Sequence, residues 1–244
     1  MNSAGEGVKL LWTGGWDSTY QLLNLVINEK VLVRPHYLID STRASTQKEL
    51  ETMNRIKRTL KDQFPDSASL ILPVSYHSID DIPNDPAITE AFHRIKARNY
   101  IGNQYDWLAR YCKFFKLSEL HLCIHEDDKA HLVIKEHLKS EQNRAIAPSV
   151  DPNCSDNDIF EVFRHFHFPI LQLTKTQMQD LSEKAGFASL MEMTWFCHKP
   201  TKGKPCGECN PCLYTAQEGL GRRISPHRRA QGSIKKYIRN FLRR

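Results

Sequence analysis

Thr13-Gly14-Gly15-Trp16-Asp17-Ser18-Thr19 follows an apolar run, Val8-Lys9-Leu10-Leu11-Trp12, and precedes Tyr20-Gln21-Leu22-Leu23-Asn24-Leu25-Val26-Ile27, where apolar residues recur at helical spacing. The first run reads as a buried strand and the last as a helix. A strand that breaks into a Gly-Gly turn and restarts as a helix makes an anion cradle, because glycine has no Cβ to hold the backbone away from a ligand. The unpaired N–H groups of the helix's first turn face the anion, and the helix dipole adds about 0.3–1 kcal/mol. On this reading Trp12, Thr13, Gly14, Gly15, Asp17, Ser18 and Thr19 surround a phosphate. Ser18 and Thr19 donate hydroxyl hydrogen bonds, and Asp17 caps the helix or holds Mg²⁺. The simpler alternative is a plain strand–turn–helix with Asp17 as its N-cap. No Gly-Lys-Ser/Thr follows, which excludes the Walker loop.

Outward from this stretch, strand and helix patterns alternate. Val31 to Asp40 reads as a second strand with Pro35 in its middle, and Leu50, Met53, Ile56 and Leu60 mark one face of a helix from Ser45. Leu70-Ile71-Leu72-Pro73-Val74 is a third short strand. A loop through Pro86 leads to helical patterning from Ile88 to Phe115, interrupted near Gly102. Leu120 to Ile124 is a fourth strand, residues 129–138 are helical, and residues 140–157 form a polar loop. Ile159 to Ile170 is strand-like, with His165 and His167 on one face, and Lys175 to Ala185 is helical. Such alternation, with strands too far apart for hairpins, predicts an α/β parallel sheet with helices on both faces. Ligands of these sheets bind beyond the carboxyl ends of the strands, where residues 13–19 lie.

Composition narrows the class. The chain has 244 residues, 40% hydrophobic and 25% charged, as in an ordinary water-soluble globular domain. No apolar run approaches a membrane span and Met1 to Glu6 has no signal-peptide pattern. The net charge of +6 is unevenly placed: residues 220–244 hold nine Lys/Arg and no Asp/Glu, leaving 25 basic and 28 acidic residues, net −3, in residues 1–219. Seven cysteines, four of them clustered, argue against a disulfide framework and for a reducing cytoplasm. Cys197, Cys206, Cys209 and Cys212 form Cys-x8-Cys-x2-Cys-x2-Cys, a set that satisfies a tetrahedral Zn²⁺ and leaves no open position, so the site is expected to be structural. Cys112, Cys123 and Cys154 read as buried or idle thiols, and His198 as a bystander.

Loop and cysteine cluster, in this order, resemble the 7-cyano-7-deazaguanine synthase (QueC-type) family of the PP-loop ATP pyrophosphatases. That superfamily's loop reads Ser-Gly-Gly-x-Asp-Ser, and Thr13 keeps the hydroxyl. Arg98-Asn99-Tyr100 resembles the family's Arg-Asn before a central helix, and Phe168 to Lys175 its Pro-(apolar)-x-x-Leu-x-Lys segment. Thr194-Trp195-Phe196-Cys197 and Cys206-Gly207-Glu208-Cys209-Asn210-Pro211-Cys212 resemble its Thr-x-Ser-Cys and Cys-Gly-x-Cys-x-x-Cys. The resemblance implies a Rossmann-like sheet of the adenine nucleotide alpha hydrolase (HUP) type. Residues 1–190 would form the ATP-binding domain, 191–219 the zinc segment and 220–244 a basic helix. It implies that ATP adenylates the carboxylate of 7-carboxy-7-deazaguanine, that pyrophosphate leaves, and that ammonia displaces AMP to give an amide, which a second activation turns into a nitrile. Gly14, Gly15, Ser18 and Thr19 would hold the pyrophosphate, Asp17 would organise the loop or Mg²⁺, and Arg98 and Lys175 would offset phosphate charge.

The chain also departs from that family. Cys123-Ile124-His125-Glu126-Asp127-Asp128-Lys129-Ala130-His131 stands where the family carries Tyr-Pro-Asp-Cys-Arg, and Asp40-Ser41-Thr42-Arg43 replaces its Tyr-Gly-Gln. This points to a different acyl acceptor or base, including attachment of a deazaguanine to a macromolecular amine in anti-phage defence. His125, Glu126, Asp127, Asp128 and His131 are candidates for a second metal or substrate site, or a solvated loop. Ile234, Tyr237, Ile238, Phe241 and Leu242 form the apolar face of a basic helix that would dock on the body, a second subunit, another protein, RNA or an anionic membrane. Competing readings are a tRNA-modifying thiolase or lysidine synthase on the same loop, and a non-enzymatic nucleotide-binding module. Against a thiolase, Cys112, Cys123 and Cys154 offer no obvious catalytic pair.

Overall fold

The computed structural model describes residues 7–139 and 147–241. In chain order the elements are β1 (Val8–Leu11), α1 (Trp16–Leu23), β2 (Val33–Ile39), α2 (Thr46–Gln63), α3 (Pro65–Ser69), β3 (Ser75–Ser78), α4 (Pro86–Arg98) and α5 (Gln104–Phe114). Then follow β4 (Leu120–His121), α6 (Lys129–Ile134), α7 (Asn157–Phe163), β5 (Phe166–His167), α8 (Lys175–Lys184), α9 (Ala188–Glu192), α10 (Asn210–Thr215) and α11 (Pro226–Phe241). The strands form one parallel sheet in the order β3-β2-β1-β4-β5. The chain winds outward from β1 to β3, then returns to β4 on β1's other side. Connections therefore leave β1 and β4 in opposite directions, and a crevice opens beyond their carboxyl ends.

Alternation of side chains splits the core in two. Leu10, Trp12 and Tyr37 pack with Leu22 of α1, Met53 and Ile56 of α2, Met178 of α8 and Leu190 of α9. Leu38, Leu120, Leu122, Phe166 and Phe168 pack with α4 to α7 through Ile88, Phe92, Leu108, Val133 and Phe163. Both faces of the sheet are thus covered, as a parallel sheet requires. Among the described residues no helix is long and apolar enough to cross a membrane.

Two expected elements are corrected. The third strand lies at Ser75–Ser78, because Pro73 lacks an N–H and interrupts pairing after the Val33–Ile71 bridge. The stretch Ile159 to Ile170 is mostly not strand. Asp156 accepts hydrogen bonds from the N–H groups of Asp158 and Ile159, both at 3.1 Å, and starts α7, whose Ile159, Val162 and Phe163 are buried at helical spacing. The polar loop expected at 140–157 falls partly outside the described residues.

α8 opens with a capping box: Thr174 Oγ1 accepts from Gln177 N–H at 3.2 Å, while Gln177 Oε1 accepts from Thr174 N–H at 2.7 Å. Thr174→Ala is expected to cost about 1 kcal/mol, and Thr174→Ser much less, in urea unfolding.

Candidate functional site

At the end of β1 the chain turns through Gly14 with φ +69°, a conformation in which a Cβ would also press on Met53 Cγ at 3.1 Å. Gly15 is the N-cap of α1 and offers no side chain to its first-turn N–H groups. Ser18 Oγ accepts from Thr13 N–H at 3.3 Å and lies 3.4 Å from Thr13 Oγ1, which closes the loop on itself. Trp12 and Thr19 stand differently from the rest. Both are fully buried, and Trp12 Nε1 donates to Thr19 Oγ1 at 3.0 Å. Their side chains thus fasten the loop to α1 from within the core.

Asp17 does not cap α1. Its Oδ2 lies 3.7 Å from His125 Nδ1 and 3.9 Å from Lys175 Nζ. It thus faces two cation-forming groups, in place of the capping role read from the sequence. Lys175, at the first position of α8, also meets Glu218 Oε2 at 2.7 Å, and Glu218 Oε1 lies 3.6 Å from His125 Nε2. Asp128 caps α6 by accepting from Ala130 N–H at 2.8 Å.

Burial and pairing set the protonation states. Burial works against charge on Lys175, yet Asp17 and Glu218 outweigh it and hold the ammonium pKa above its ordinary value. Burial likewise disfavours charge on His125, but Asp17 and Glu218 raise its pKa overall. Burial alone would raise Glu218, and the nearby His125 and Lys175 bring it below the usual range. Asp128, by contrast, is raised, chiefly by burial.

These groups line a cleft of about 350 Å³ whose walls include Tyr100, Tyr105, Phe196 and Tyr214. Lys129 Nζ sits over the Tyr100 ring at 3.8 Å and the Tyr214 ring at 5.6 Å, at the edge of the cleft. Of the acidic and histidine group near β4, His125, Asp127 and Asp128 reach the cleft, while Glu126 and His131 do not line it. Arg98 is not part of it either. Its Nη2 donates to Asp156 Oδ1 and Oδ2 at 2.9 and 2.7 Å, pinning the end of α4 to the start of α7.

The four cysteines bring one Sγ each to within 4.8 Å of one another, and among the described residues no other His, Cys, Asp or Glu set gathers this way. Thiolates about 2.3 Å from Zn²⁺ define a tetrahedron with edges of about 3.8 Å. The Sγ separations Cys209–Cys212, Cys206–Cys212 and Cys209–Cys197 are 3.5, 3.8 and 3.9 Å. Backbone N–H groups of Cys206 and Cys209 point at Cys197 Sγ and Cys206 Sγ at 3.2 and 3.3 Å, a second layer suited to thiolates. The donor set fits a closed, four-sulfur metal centre.

This module is joined to the loop. Trp195 N–H donates to the Gly14 carbonyl at 2.9 Å. Gly219, with φ +85°, packs so closely on Thr176 that a Cβ would come within 2.6 Å, and this kink carries Glu218 to Lys175. Arg223 is buried between Trp16 and Phe196, 5.0 Å from each ring, and donates to Thr194 Oγ1 at 2.8 Å, while burial lowers its pKa to about 10. Glu218 and Arg223 are site residues that sequence reasoning missed. Arg223 read as one of many tail cations, and for Glu218 the only cue was the glycine after it.

Part of the basic tail docks on the body. Arg228 Nη1 donates to the Pro205 carbonyl at 2.7 Å and Lys235 Nζ to Glu208 Oε1 at 2.6 Å. The helix begins at Pro226, earlier than the apolar pattern indicates, and Ile234 is exposed. Leu242, Arg243 and Arg244 lie outside the described residues.

Residues 154–220 match the family model of the queuosine biosynthesis protein QueC. The match spans Lys175, Glu218 and all four cysteines, and begins well after the glycine loop. No curated protein matches the chain. Metal analysis of purified protein is expected to find one zinc per chain, and Cys209→Ser to lower bound metal at least roughly tenfold.

Proposed function

We propose that this divergent QueC-like chain is an ATP-dependent ligase: it adenylates a carboxylate with release of pyrophosphate, then passes the acyl group to an amine. The observation that carries this reading is that Lys175 Nζ comes within 3.9 Å of Asp17 in α1's uncapped first turn, which follows the Gly14–Gly15 turn at the end of β1. A carboxylate reacts poorly with amines until one oxygen becomes a good leaving group, and AMP supplies one. Gly14, Gly15, Ser18 and the first-turn N–H groups hold the departing pyrophosphate, as an N-terminal helix end favours anions. Mg²⁺ comes with the nucleotide's phosphates. Lys175, fixed between Asp17 and Glu218, offers a positioned cation to the charge that grows on the α-phosphate. The Cys197, Cys206, Cys209 and Cys212 centre holds Zn²⁺ in a structural role and steadies the loop through Trp195. Reduced cysteines of this kind suit a cytoplasmic setting.

The acyl substrate we assign first is 7-carboxy-7-deazaguanine, with ammonia as acceptor and the amide as first product. The aromatic walls of the cleft, Tyr105, Phe196 and Tyr214, suit a planar heterocycle of that kind.

Incubation with ATP, ammonia and 7-carboxy-7-deazaguanine is expected to yield AMP and pyrophosphate in equal amounts. ADP as product would rule out adenylation. Lys175→Ala should lower AMP formation about 10²–10³-fold, the loss typical of one preorganised charge-stabilising donor. Gly14→Ala should weaken nucleotide binding, read by calorimetric titration, through the strained φ and the Met53 contact.

A further inference from the structure

We infer that His125, held between Glu218 and Asp17, is the base that takes a proton from the incoming ammonium ion before it attacks the acyl-adenylate. This rests on the ligase reading above and goes beyond it by assigning the proton transfer of the second half-reaction. His125 is 3% exposed and lines the cleft beside Lys175. Neither ring nitrogen has a hydrogen-bond partner. The nearest carboxylates, Glu218 Oε1 at 3.6 Å and Asp17 Oδ2 at 3.7 Å, flank it on opposite nitrogens. A buried imidazole without partners is costly unless the bound reactants supply them.

The charged groups facing His125 are Asp17 of α1, Asp128 at the start of α6, Lys175 of α8 and Glu218 after α10. Three carboxyl groups against one ammonium make a setting that draws in a small cation. Ammonia at neutral pH is almost wholly ammonium, which has no lone pair, so the setting that attracts it must also deprotonate it. The N–H bond breaks toward a ring nitrogen of His125. The freed lone pair attacks the acyl carbon, the carbon–oxygen bond to the α-phosphate breaks, and AMP leaves with its electron pair. A second proton passes from the new amide nitrogen to the AMP phosphate, so one ammonium and one acyl-adenylate give one amide, one protonated AMP and one imidazolium. Asp17 and Glu218 stabilise that imidazolium, so the base works as pH rises through a pKa above the ordinary histidine value.

Carboxylate-dependent ATP–pyrophosphate exchange reads adenylation alone, and amide formation reads the second step. In His125→Gln, amidation by ammonia relative to exchange is expected to fall at least about 10²-fold. Hydroxylamine is uncharged at neutral pH and needs no prior deprotonation, so it should restore most of that loss. Equal losses with ammonia and hydroxylamine, or no loss with either, would overturn the assignment. Absence of exchange in the unaltered protein would instead refute adenylation itself. Should His125→Gln fail to fold, Glu218→Gln decides: the pH midpoint of hydroxylamine-normalised amidation should move down, and an unmoved midpoint counts against the base.

Discussion

A lysine ammonium buried at the head of a helix must find a carboxylate, and this constraint organises the molecule. Lys175 Nζ lies 3.9 Å from Asp17 Oδ2 and 2.7 Å from Glu218 Oε2, and these two carboxylates outweigh burial in holding its charge. Taking one partner from a buried pair costs about 3–5 kcal/mol. Glu218 belongs to the last part of the chain, so the module after α9 has to fold back onto the first strand's loop. The positive φ of Gly219 makes that return path sterically open. Sheet, loop and cysteine module therefore meet at one cluster of charges, Asp17, Lys175 and Glu218.

The module itself has little apolar core: Cys197, Cys212 and Ile224 are its buried cluster, with Trp195 and Phe196 partly packed against them. Metal binding of the kind seen in small zinc modules contributes about 10–16 kcal/mol and can take the place of such a core. The module is tied to the loop by the Trp195–Gly14 hydrogen bond and the Arg223 guanidinium between two rings.

Much of this was legible beforehand, for particular reasons. Gly14 and Gly15 after an apolar run announced the turn, and the spacing of Cys206, Cys209 and Cys212 announced close sulfurs, because both depend on local chain geometry. Asp156 as a helix start was overlooked in favour of the alternating His165–Phe168 pattern, and the helix it opens displaced an expected strand. Pro73 moved the third strand by removing one ladder donor. Arg98 resembled a phosphate ligand, but Asp156, 58 residues away, claims it. The convergence of Asp17, His125, Lys175 and Glu218 joins four distant segments, and no local pattern encodes such a meeting.

Three of the four tryptophans surround the glycine turn. The indole of Trp12 bonds Thr19 behind it, Trp16 lies under a guanidinium at its exit, and the amide of Trp195 holds its carbonyl. The protein therefore carries its own optical reporter: three indoles sit around one turn, and quenching or a colour shift would follow any change there in real time without any attached dye.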